Sequence, residues 1–455
     1  MATANATAVW EVRPTAGNDN NGGGFDPGIS GAGTDYSQQN TAQLSLSDIT
    51  ISGSAVSSVT GGFTSAMIGN AFQINGNWYF ITAVTDSHHC TITTPSTNGS
   101  GLSGNVGGAL ATPGKAGALM SGGNTVWIKN SGTASITSAS TNVAGGCLAP
   151  PAGTTTALTR IIGYNSSRGD NGTAPLLQAS GITTFTLIKP AGACHIENLT
   201  LDGGSLTSSR GIDTNSQAAR VYRCTVKNFT NGGIWGTQDS LAVLCAATGC
   251  SGNSPFANGG IWEACVAYSN SITGFQCQTG MSVWINCVSL NNTSSGHGFL
   301  AGSGAAAATA RNCTAYGNAG DGFRVNSAVG LATFDNCIAE ANSGYGFNAS
   351  ANDANILLIL CGGYNNTSGL GNSTITTSSI GLISATAEIF NNAGGNDFSL
   401  NTSTNGGALF RAAGLPGNAA PYLLPGISTN AYPDCGAAQH KDSGGGGTVG
   451  WVTIG

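Results

Sequence analysis

Charged residues are scarce in this sequence. Only 7% of its 455 residues are Asp, Glu, Lys or Arg, whereas typical soluble domains contain about 25%. The 14 basic residues form no block and the formal net charge is −6, so nucleic-acid binding is disfavoured. No apolar run approaches the roughly 18 residues that a membrane span requires. The sequence therefore predicts neither a nucleic-acid partner nor insertion into a membrane.

Common catalytic motifs are also missing. The sequence contains no nucleophile elbow, no phosphate-binding loop and no Cys-x-x-Cys pair, and we predict no cofactor. The opening MATANATAVW has neither the basic nor the apolar region of a classical signal peptide, so we expect synthesis in a cytoplasm. Glycine, in contrast, is abundant, with 71 residues. Together with many Ser, Thr and Asn residues and 40% hydrophobic residues, it predicts short strands and turns around a real core.

Seven of the thirteen cysteines recur at a nearly constant interval. An odd total leaves at least one thiol unpaired, and the regular spacing argues against a disulfide framework. Because free cysteine behaves as a small buried hydrophobe, we interpret these repeat cysteines as stacked core thiols, one per repeat. They follow one another at intervals of 21, 20, 22, 26, 24 and 24 residues and are Cys224, Cys245, Cys265, Cys287, Cys313, Cys337 and Cys361.

Further columns emerge when the sequence is aligned on the repeat cysteines. Gly-Phe pairs recur at 274–275, 298–299, 322–323 and 346–347, and a mostly small residue stands two positions after each cysteine. That alternation predicts an inward-facing pair on a strand. Asparagine precedes three of the cysteines directly, and turns are expected there because Asn tolerates left-handed backbone conformations. A second asparagine column, five residues after the cysteine, can hydrogen-bond from repeat to repeat: Asn270, Asn292, Asn318, Asn342 and Asn366.

A repeat of 20 to 26 residues with strand-like alternation predicts a solenoid. Helical repeats usually need about 33 residues or more, and the Leu-x-x-Leu-x-Leu pattern of leucine-rich repeats is missing. We therefore predict an all-β fold, a parallel β-helix with three short strands in each coil of about 24 residues. Trp262 and Trp284, three residues before a repeat cysteine, are predicted to lie in its core.

On these columns and on four further segments, the sequence resembles right-handed parallel β-helix repeat proteins, especially exterior virion proteins of tailed bacteriophages. VWEVRPTAGNDNNGGGF (9–25) resembles their opening strand and turn, and GGNTVWIKNSGTASI (122–136) their first coil. NDFSLNTSTNGGALFRAAG (396–414) resembles their closing coil, and YPDCGAAQH (432–440) their final segment, with Cys435 where Ile is usual. The resemblance implies a right-handed helix and a homotrimer. It does not imply one activity, because this scaffold carries lyases, hydrolases, adhesins and structural proteins.

The domain organisation follows from where the repeat begins and ends. Residues 1–44 predict an N-terminal strand and cap, and residues 45–112 a small inserted β subdomain with a hairpin across Asn75-Gly76-Asn77. The β-helix is predicted over 113–415. Residues 416–455 predict a closing segment and a short Gly-rich arm, which either frays or adds a strand to a neighbouring subunit.

Catalysis on such a scaffold needs carboxylates that converge, either as an acid–base pair or as oxygen ligands of Ca²⁺. No aligned column holds two acids on successive repeats. Different columns can still converge, so Asp321, Asp335, Arg311 and Arg324 form the candidate catalytic patch. Turn residues and surface ion pairs are the favoured alternative for these four, since charged groups also cluster for structural reasons.

The histidines do not predict a metal site. His88 and His89 are neighbours on a predicted strand, so their side chains point to opposite faces and cannot share a metal with Cys90 without distortion. His297, in a turn before a Gly-Phe pair, is isolated in the sequence. We therefore predict no metal.

Two functions from different classes fit the sequence. The first is a non-enzymatic structural protein on the exterior of a tailed-phage virion, made in the host cytoplasm, as capsid decoration or as a passive adhesion spike or fibre. It would bind other virion proteins of the capsid or tail and possess contacts for host surface glycans. The alternative is a polysaccharide lyase or glycoside hydrolase, free or as a tail spike. The scarcity of acids favours the first. Candidate glycan or partner contacts are the outward-facing Tyr268, Tyr316 and Tyr364.

Overall fold

A computed structural model describes residues 5–93, 98–214, 218–294, 296–326, 330–349, 356–372, 375, 379–395, 397–411, 413–414 and 434–437. The chain divides into two units, residues 1–206 and 207–455. Both are built almost entirely of β-strands, which confirms the predicted fold class. Within the described ranges, no helix is long and apolar enough to cross a membrane. The Gly-rich arm predicted near the C-terminus lies outside the described residues.

The first unit opens with two short strands and a six-stranded antiparallel barrel, which confirms the predicted N-terminal β subdomain. Asn75 and Gly76, at the tip of one hairpin, have φ values of 47° and 80°, as a two-residue type I′ turn requires. The short strands are β1 (Val9–Val12) and β2 (Gly24–Phe25), and the barrel strands are β3 (Leu44–Ser52), β4 (Ala55–Ser57), β5 (Ala71–Ile74), β6 (Asn77–Asp86), β7 (His89–Ile92) and β8 (Gly99–Val106). They pair in the order β3-β4-β7-β6-β5-β8, and β8 closes on β3.

The rest of the first unit consists of parallel coils that follow a short helix, α1 (Pro113–Leu119). α1 is not among the predicted elements, although Thr112 caps it by accepting the N–H of Lys115 and Pro113 is its first residue. The strands are β9 (Thr125–Lys129), β10 (Ala134–Ile136), β11 (Ser138–Thr141), β12 (Gly146–Cys147), β13 (Thr159–Tyr164), β14 (Leu176–Ala179), β15 (Phe185–Ile188), β16 (Cys194–Glu197) and β17 (Thr200–Asp202). β1, β9, β13 and β16 pair in parallel, as do β10, β14 and β17.

In the second unit each coil contributes three strands. The first strands are β18 (Ser209–Asp213), β21 (Ile234–Gly236), β30 (Phe323–Val325) and β33 (Phe347–Ala349). The second strands are β19 (Ala219–Tyr222), β22 (Leu241–Val243), β31 (Ala332–Asp335), β34 (Ile356–Ile359) and β36 (Ser379–Ile380). In β24 (Phe256–Glu263), β26 (Phe275–Ile285) and β28 (Phe299–Arg311) the first and second strands are continuous. The third strands are β20 (Thr225–Lys227), β23 (Ala246–Thr248), β25 (Val266–Tyr268), β27 (Val288–Leu290), β29 (Thr314–Tyr316), β32 (Ile338–Glu340), β35 (Gly362–Tyr364) and β37 (Ile383–Ser384).

Strands of the same type pair in parallel from coil to coil, so equivalent side chains stack inside the unit. Trp262 and Trp284 are buried in this core, as predicted. The Gly-Phe column forms a continuous stack with ring centroids 4.8 to 5.0 Å apart and nearly parallel planes, which is the spacing of neighbouring strands. Its members are Phe256, Phe275, Phe299, Phe323 and Phe347, of which Phe256 follows Pro255 and lacks the Gly-Phe signature.

The repeat cysteines are free and buried, as are all thirteen cysteines. Their thiols point to backbone carbonyls of the preceding coil; the Sγ of Cys287, for example, lies 3.1 Å from the oxygen of Trp262. Burial raises the pKa of Cys245, Cys287 and Cys337. These three protonated thiols therefore fill the corner between the second and third strands as small hydrophobes with a weak hydrogen bond.

The two asparagine columns have different structural roles. Asn286, Asn312 and Asn336, directly before a repeat cysteine, have φ values of 50° to 54°, so they make the left-handed corner between the second and third strands. In the other column the Nδ2 of each residue donates to the Oδ1 of the residue in the next coil, over distances of 2.8 to 3.0 Å. That row runs from Asn270 to Asn366 and stacks along the coils.

The described residues after β37 do not form the closing coil that the sequence suggests. β38 (Phe390–Asn392) and β39 (Asp397–Leu400) pair antiparallel with each other. With the rest of 385–395, 397–411 and 434–437 they form a flap over the outer face of the third strands. The reason is that this outer face carries apolar side chains, including Val288, Leu290 and Ile338, and Phe390, Phe398 and Phe410 of the flap pack with them into one buried cluster.

Candidate functional site

Asp321 lies in the turn before β30, and its carboxylate is held from several sides. Its Oδ1 accepts the backbone N–H of Tyr345 at 2.8 Å, and its Oδ2 accepts Nδ2–H of Asn348 at 2.9 Å. Nη1 of Arg324 lies 3.4 Å from the same Oδ2. Both carboxylate oxygens accept hydrogen bonds from the next coil, so the carboxylate joins two neighbouring coils. It would have to release one of these contacts to take part in a reaction.

His297 completes this group from the preceding coil. Its Nδ1 accepts the backbone N–H of Asp321 at 2.9 Å, so the neutral ring carries its proton on Nε2. That nitrogen lies 3.4 Å from Nη1 of Arg324. Burial lowers the pKa of His297, although the Asp321 carboxylate opposes the shift. His297 is isolated in the sequence because its contact joins residues that are 24 positions apart.

Arg311 and Asp335 form a second pair, at the ends of neighbouring second strands. They are directly opposite in the register of β28 and β31, with Nη2 of Arg311 3.5 Å from Oδ2 of Asp335. The arginine side chain is 57% exposed, whereas that of the aspartate is 9% exposed. Burial raises the pKa of Asp335 and the guanidinium of Arg311 lowers it by less. The other carboxylate oxygen, Oδ1, is buried without a hydrogen-bond partner.

The four residues of the candidate patch are thus arranged as two ion pairs. Asp321 and Arg324 lie at the start of a first strand, while Arg311 and Asp335 lie at the ends of second strands. The arrangement resembles the structural alternative for these residues, in which each acid is neutralised by a nearby base. What the structure adds is the imidazole of His297 beside the first pair.

A denser charged cluster lies in the first unit, where the sequence analysis placed no site. Glu11 on β1 is fully buried, and its Oε2 accepts hydrogen bonds from Nε and Nη2 of Arg168 at 2.9 and 2.8 Å. Its Oε1 accepts from Nε of Arg13 at 3.1 Å and from the hydroxyl of Tyr164. Nη1 of Arg168 also donates to Asp35 at 2.8 Å. Two guanidinium groups therefore neutralise two carboxylates, as expected for a buried ion-pair network with a structural role.

The candidate tyrosines face the flap. The ring of Tyr316 packs edge-on against Phe398 and Phe390, with centroids 5.7 and 6.3 Å away. Tyr268 and Tyr364 pack against the same apolar cluster. The flap of the same chain therefore packs on the outer face of the third strands at these three tyrosines.

Glu340 lies in the same column, between Tyr316 and Tyr364, and is 4% exposed beneath the flap. Its Oε1 accepts the N–H of Ile389 at 3.5 Å, and its Oε2 is buried without a partner. Burial raises the pKa of Glu340 to about 7, and the nearby Glu388 carboxylate adds to the shift. A neutral carboxyl group therefore fits this site better than a carboxylate does.

We expect the flap to be bound most tightly at acid pH. The pKa of Glu340 rises from 4.5 to about 7 when the flap covers it, so its contribution is full below pH 4.5 and is lost as the pH rises to about 7. The loss amounts to about 3 kcal/mol. Hydrogen exchange of residues 390–400, corrected for intrinsic rates, should show opening that becomes more frequent over this pH window. Glu340→Gln should remove the dependence, whereas Glu388→Gln at the exposed neighbouring acid should keep most of it. An equal pH dependence in Glu340→Gln and the wild type would contradict the assignment.

No metal centre is evident in the part of the chain that the structure describes, where no three His, Cys, Asp or Glu side chains are grouped to hold an ion. β7 begins at His89, so His88 lies in the preceding turn, with its Nδ1 3.1 Å from the carbonyl of Ser58. His89 pairs with Asp86 at 2.9 Å. Cys90 is buried in the barrel.

No family model matches the sequence, and no curated protein matches it. Among solved structures, the chain is similar to ORF18 of Geobacillus virus E2, at 15% identity and a TM-score of 0.41, over 55% of this chain and 52% of that one. It is also similar to pectate lyase Pel9A, at 16% identity and a TM-score of 0.44, over 74% and 92% of the two chains. A third is the A-module of the Azotobacter vinelandii mannuronan C-5 epimerase AlgE4, at 18% identity and a TM-score of 0.35, over 57% and 82%. The chain spans about half the length of the virus protein.

The fold itself is established by the strand pairing of the chain. Parallel ladders join first strands to first strands, second to second and third to third, with repeats of about 24 residues. Side chains at equivalent positions stack inside the coils, and the antiparallel barrel precedes the coils in the sequence. The chain is therefore a parallel β-helix protein with a small antiparallel β subdomain near its N-terminus.

Proposed function

We propose that the chain is a non-enzymatic structural protein on the exterior of a tailed-phage virion, where it decorates the capsid or forms a passive adhesion spike or fibre. The observation that carries this proposal is the way in which the coil acids are used. Both oxygens of Asp321 accept hydrogen bonds that join neighbouring coils, and Asp335 is paired with Arg311. These carboxylates support the scaffold rather than face an open cleft as an acid and base pair. The resemblance of the opening segment and the first coil to phage exterior proteins supports the same proposal.

The scaffold suits a surface role for a physical reason. Its backbone groups are hydrogen-bonded from coil to coil, and its surface contains few charged residues. A structure of this kind resists local opening, because each coil is held by ladders on both sides. Resistance to local opening suits a long-lived component on the exterior of a particle. It is no evidence of catalysis.

The location is tested by cryo-EM of the intact particle, in which copies of the chain are counted and placed. Hundreds of copies over the shell are expected for decoration, and a few assemblies at the tail for a spike or fibre. Absence of the chain from purified particles would refute the proposal. Immunoblotting of the same particles gives an independent count.

A second candidate function is polysaccharide cleavage, and one observation favours it. His297, Asp321 and Arg324 place an imidazole, a carboxylate and a guanidinium within 3.5 Å of one another on the first-strand side of two coils. Such a group can in principle transfer a proton and stabilise negative charge. In this arrangement Arg324 would bind an anionic sugar, and Asp321 would have to release its contacts to Tyr345 and Asn348.

The two functions predict different effects of Asp321→Asn on the cleavage of cell-surface polysaccharide from the host. The structural proposal predicts no formation of reducing ends or unsaturated products by the wild type, and hence no effect of the substitution. Enzymatic cleavage would instead predict a loss of about 100-fold or more in Asp321→Asn. Asp335→Asn is the matched control, since it removes a paired acid from the other ion pair. Cleavage that disappears only in Asp321→Asn would overturn the non-enzymatic assignment.

A further inference from the structure

The last described coil of the second unit has an open edge. Its strands β36 and β37 pair with β34 and β35 of the preceding coil, and no other described strand pairs with them. In earlier coils the residue two positions after the repeat cysteine is buried, as Ala339 and Gly363 are. Ser384 holds the equivalent place but is exposed, and Ile380 is 60% exposed. The side of this coil that faces away from β34 and β35 therefore lies in solvent.

The hydrogen bonds between earlier coils show which backbone groups are left at this open edge. The N–H of Leu360, directly before a repeat cysteine, donates to a carbonyl of the following coil at 2.8 Å. The carbonyl of Cys361 accepts an N–H of the same following coil, also at 2.8 Å. Gly381 and Leu382 hold these two places in the last described coil. The N–H of Gly381 and the carbonyl of Leu382 are therefore directed to the open side.

The sequence contains a second copy of this coil corner after the Gly-rich arm. Residues 379–385 read SIGLISA, and residues 448–454, which lie outside the described residues, read TVGWVTI. The two segments agree in residue class at every position, namely hydroxyl, β-branched aliphatic, glycine, large apolar, β-branched aliphatic, hydroxyl and apolar. Gly381 has a φ of 68° at the corner, and Gly450 is suited to the same left-handed backbone. The match predicts that both segments favour the same bend.

The same chain can supply this second corner to its own open edge. Ala437, the last described residue, donates its N–H to Oγ1 of Thr314 at 3.0 Å. The strand register counts three coil steps from Thr314 to β37, so a further coil would lie ~19 Å away at the usual strand spacing. Residues 438–447 can span up to ~33 Å. Such a short flexible linker gives a millimolar effective concentration, which favours the chain's own edge over that of a neighbouring copy.

We propose that residues 448–454 bind the open edge of the last described coil in the same chain, parallel to residues 379–385 and in register with them. The segment then forms the next coil corner and closes the solenoid at this end. An uncovered edge is a template for pairing with other chains, and terminal repeats of solenoids need a cap for this reason. The contact is independent of the proposed virion role, because it lies within one chain.

The register follows from the hydrogen bonds of the earlier coils. Val452 donates its N–H to the carbonyl of Leu382, as the following coil does to Cys361. The N–H of Gly381 donates to the carbonyl of Val449, as Leu360 does to the coil above it. Both free backbone groups of the edge are thereby paired.

A disulfide tests this register. Ser384→Cys with Thr453→Cys places two cysteines at equivalent positions of neighbouring coils, with Cα atoms ~4.8 Å apart, which a disulfide can bridge. Mild oxidation should link this pair within one chain at least 10-fold faster than the control pair Ser384→Cys with Thr448→Cys, whose second cysteine lies over the other strand. The thirteen native cysteines are buried and should not compete. Equal rates for the two pairs would overturn the register, and a link formed only between two chains would overturn binding within one chain.

Hydrogen exchange of the full chain tests the same contact without added cysteines. Val452→Pro removes the N–H that the carbonyl of Leu382 accepts, and proline is not tolerated inside a sheet. The N–H of Gly381 should therefore exchange at least 10-fold faster in Val452→Pro than in the wild type. Ser443→Pro, in the linker, is the matched control and should exchange like the wild type. Exchange of β32 and β35 should be the same in all three chains, which shows that the coils remain folded. Equal exchange of Gly381 in the three chains would overturn the proposal.

Discussion

Replacing Glu11 by Gln is expected to lower the free energy of unfolding of the first unit by about 3–5 kcal/mol, the usual cost of breaking a buried ion-pair network from one side. Glu11 is fully buried and receives four hydrogen bonds, three of them from the guanidinium groups of Arg13 and Arg168. The amide of Gln would turn an N–H₂ group towards these donors. It would also leave two cations with Asp35 as their only remaining acid in the cluster.

Urea unfolding followed by tryptophan fluorescence, together with hydrogen exchange of β1, β9 and β13, measures this effect. Asp86→Asn is the matched control, because Asp86 also pairs with a basic side chain but both partners are more than half exposed; its unfolding midpoint should not change. Arg168→Lys should fall between the two, since a lysine cannot make the paired contacts to Glu11 and Asp35. An effect of Glu11→Gln no larger than that of Asp86→Asn would show that the cluster does not hold the unit together.

The periodic part of this fold is predictable from the sequence because each coil repeats the same physical requirements. The corner before each repeat cysteine has a positive φ, which explains the asparagines at 286, 312 and 336. The strand after it alternates between a buried and an outward residue, which explains the small residue two positions after the cysteine. These constraints act within one coil and between neighbouring coils, so they leave columns in the sequence.

The candidate sites are less predictable because they depend on contacts that do not repeat. Glu11 meets Arg168 across 157 positions, and the flap brings Glu388 near Glu340 from outside the coil pattern. His297 and Asp321 are one coil apart and each lies two residues before the Phe of a Gly-Phe pair, so their proximity could have been read from an alignment on the Gly-Phe pairs. Their hydrogen-bond directions, which place the imidazole proton on Nε2, require coordinates.

Replacing Asn318 by alanine is expected to lower the free energy of unfolding by about 4 kcal/mol. Its Oδ1 accepts the backbone N–H and the Nδ2–H of Asn292, and its Nδ2 donates to Oδ1 of Asn342 and to the carbonyl of Ser289. The residue is fully buried, so water cannot replace the lost contacts. Each buried donor or acceptor left without its partner costs about 1–3 kcal/mol, and at least two are left in Asn318→Ala.

The position of the residue in the row makes this prediction specific. Asn366 ends the row and donates to one carbonyl, that of Ala339, so Asn366→Ala should cost less than Asn318→Ala. Asn391→Ala is the matched control, since Asn391 makes an exposed side-chain hydrogen bond in the flap, and it should change the free energy of unfolding by less than about 0.5 kcal/mol. Urea unfolding of the three variants gives the comparison. A graded loss would mean that the asparagines couple each coil to both of its neighbours, as expected when stability is carried by contacts between adjacent repeats. Equal losses at 318 and 391 would mean that the row is a by-product of turns that asparagine tolerates. The backbone ladders and the core stack of phenylalanines would then carry the coupling between coils.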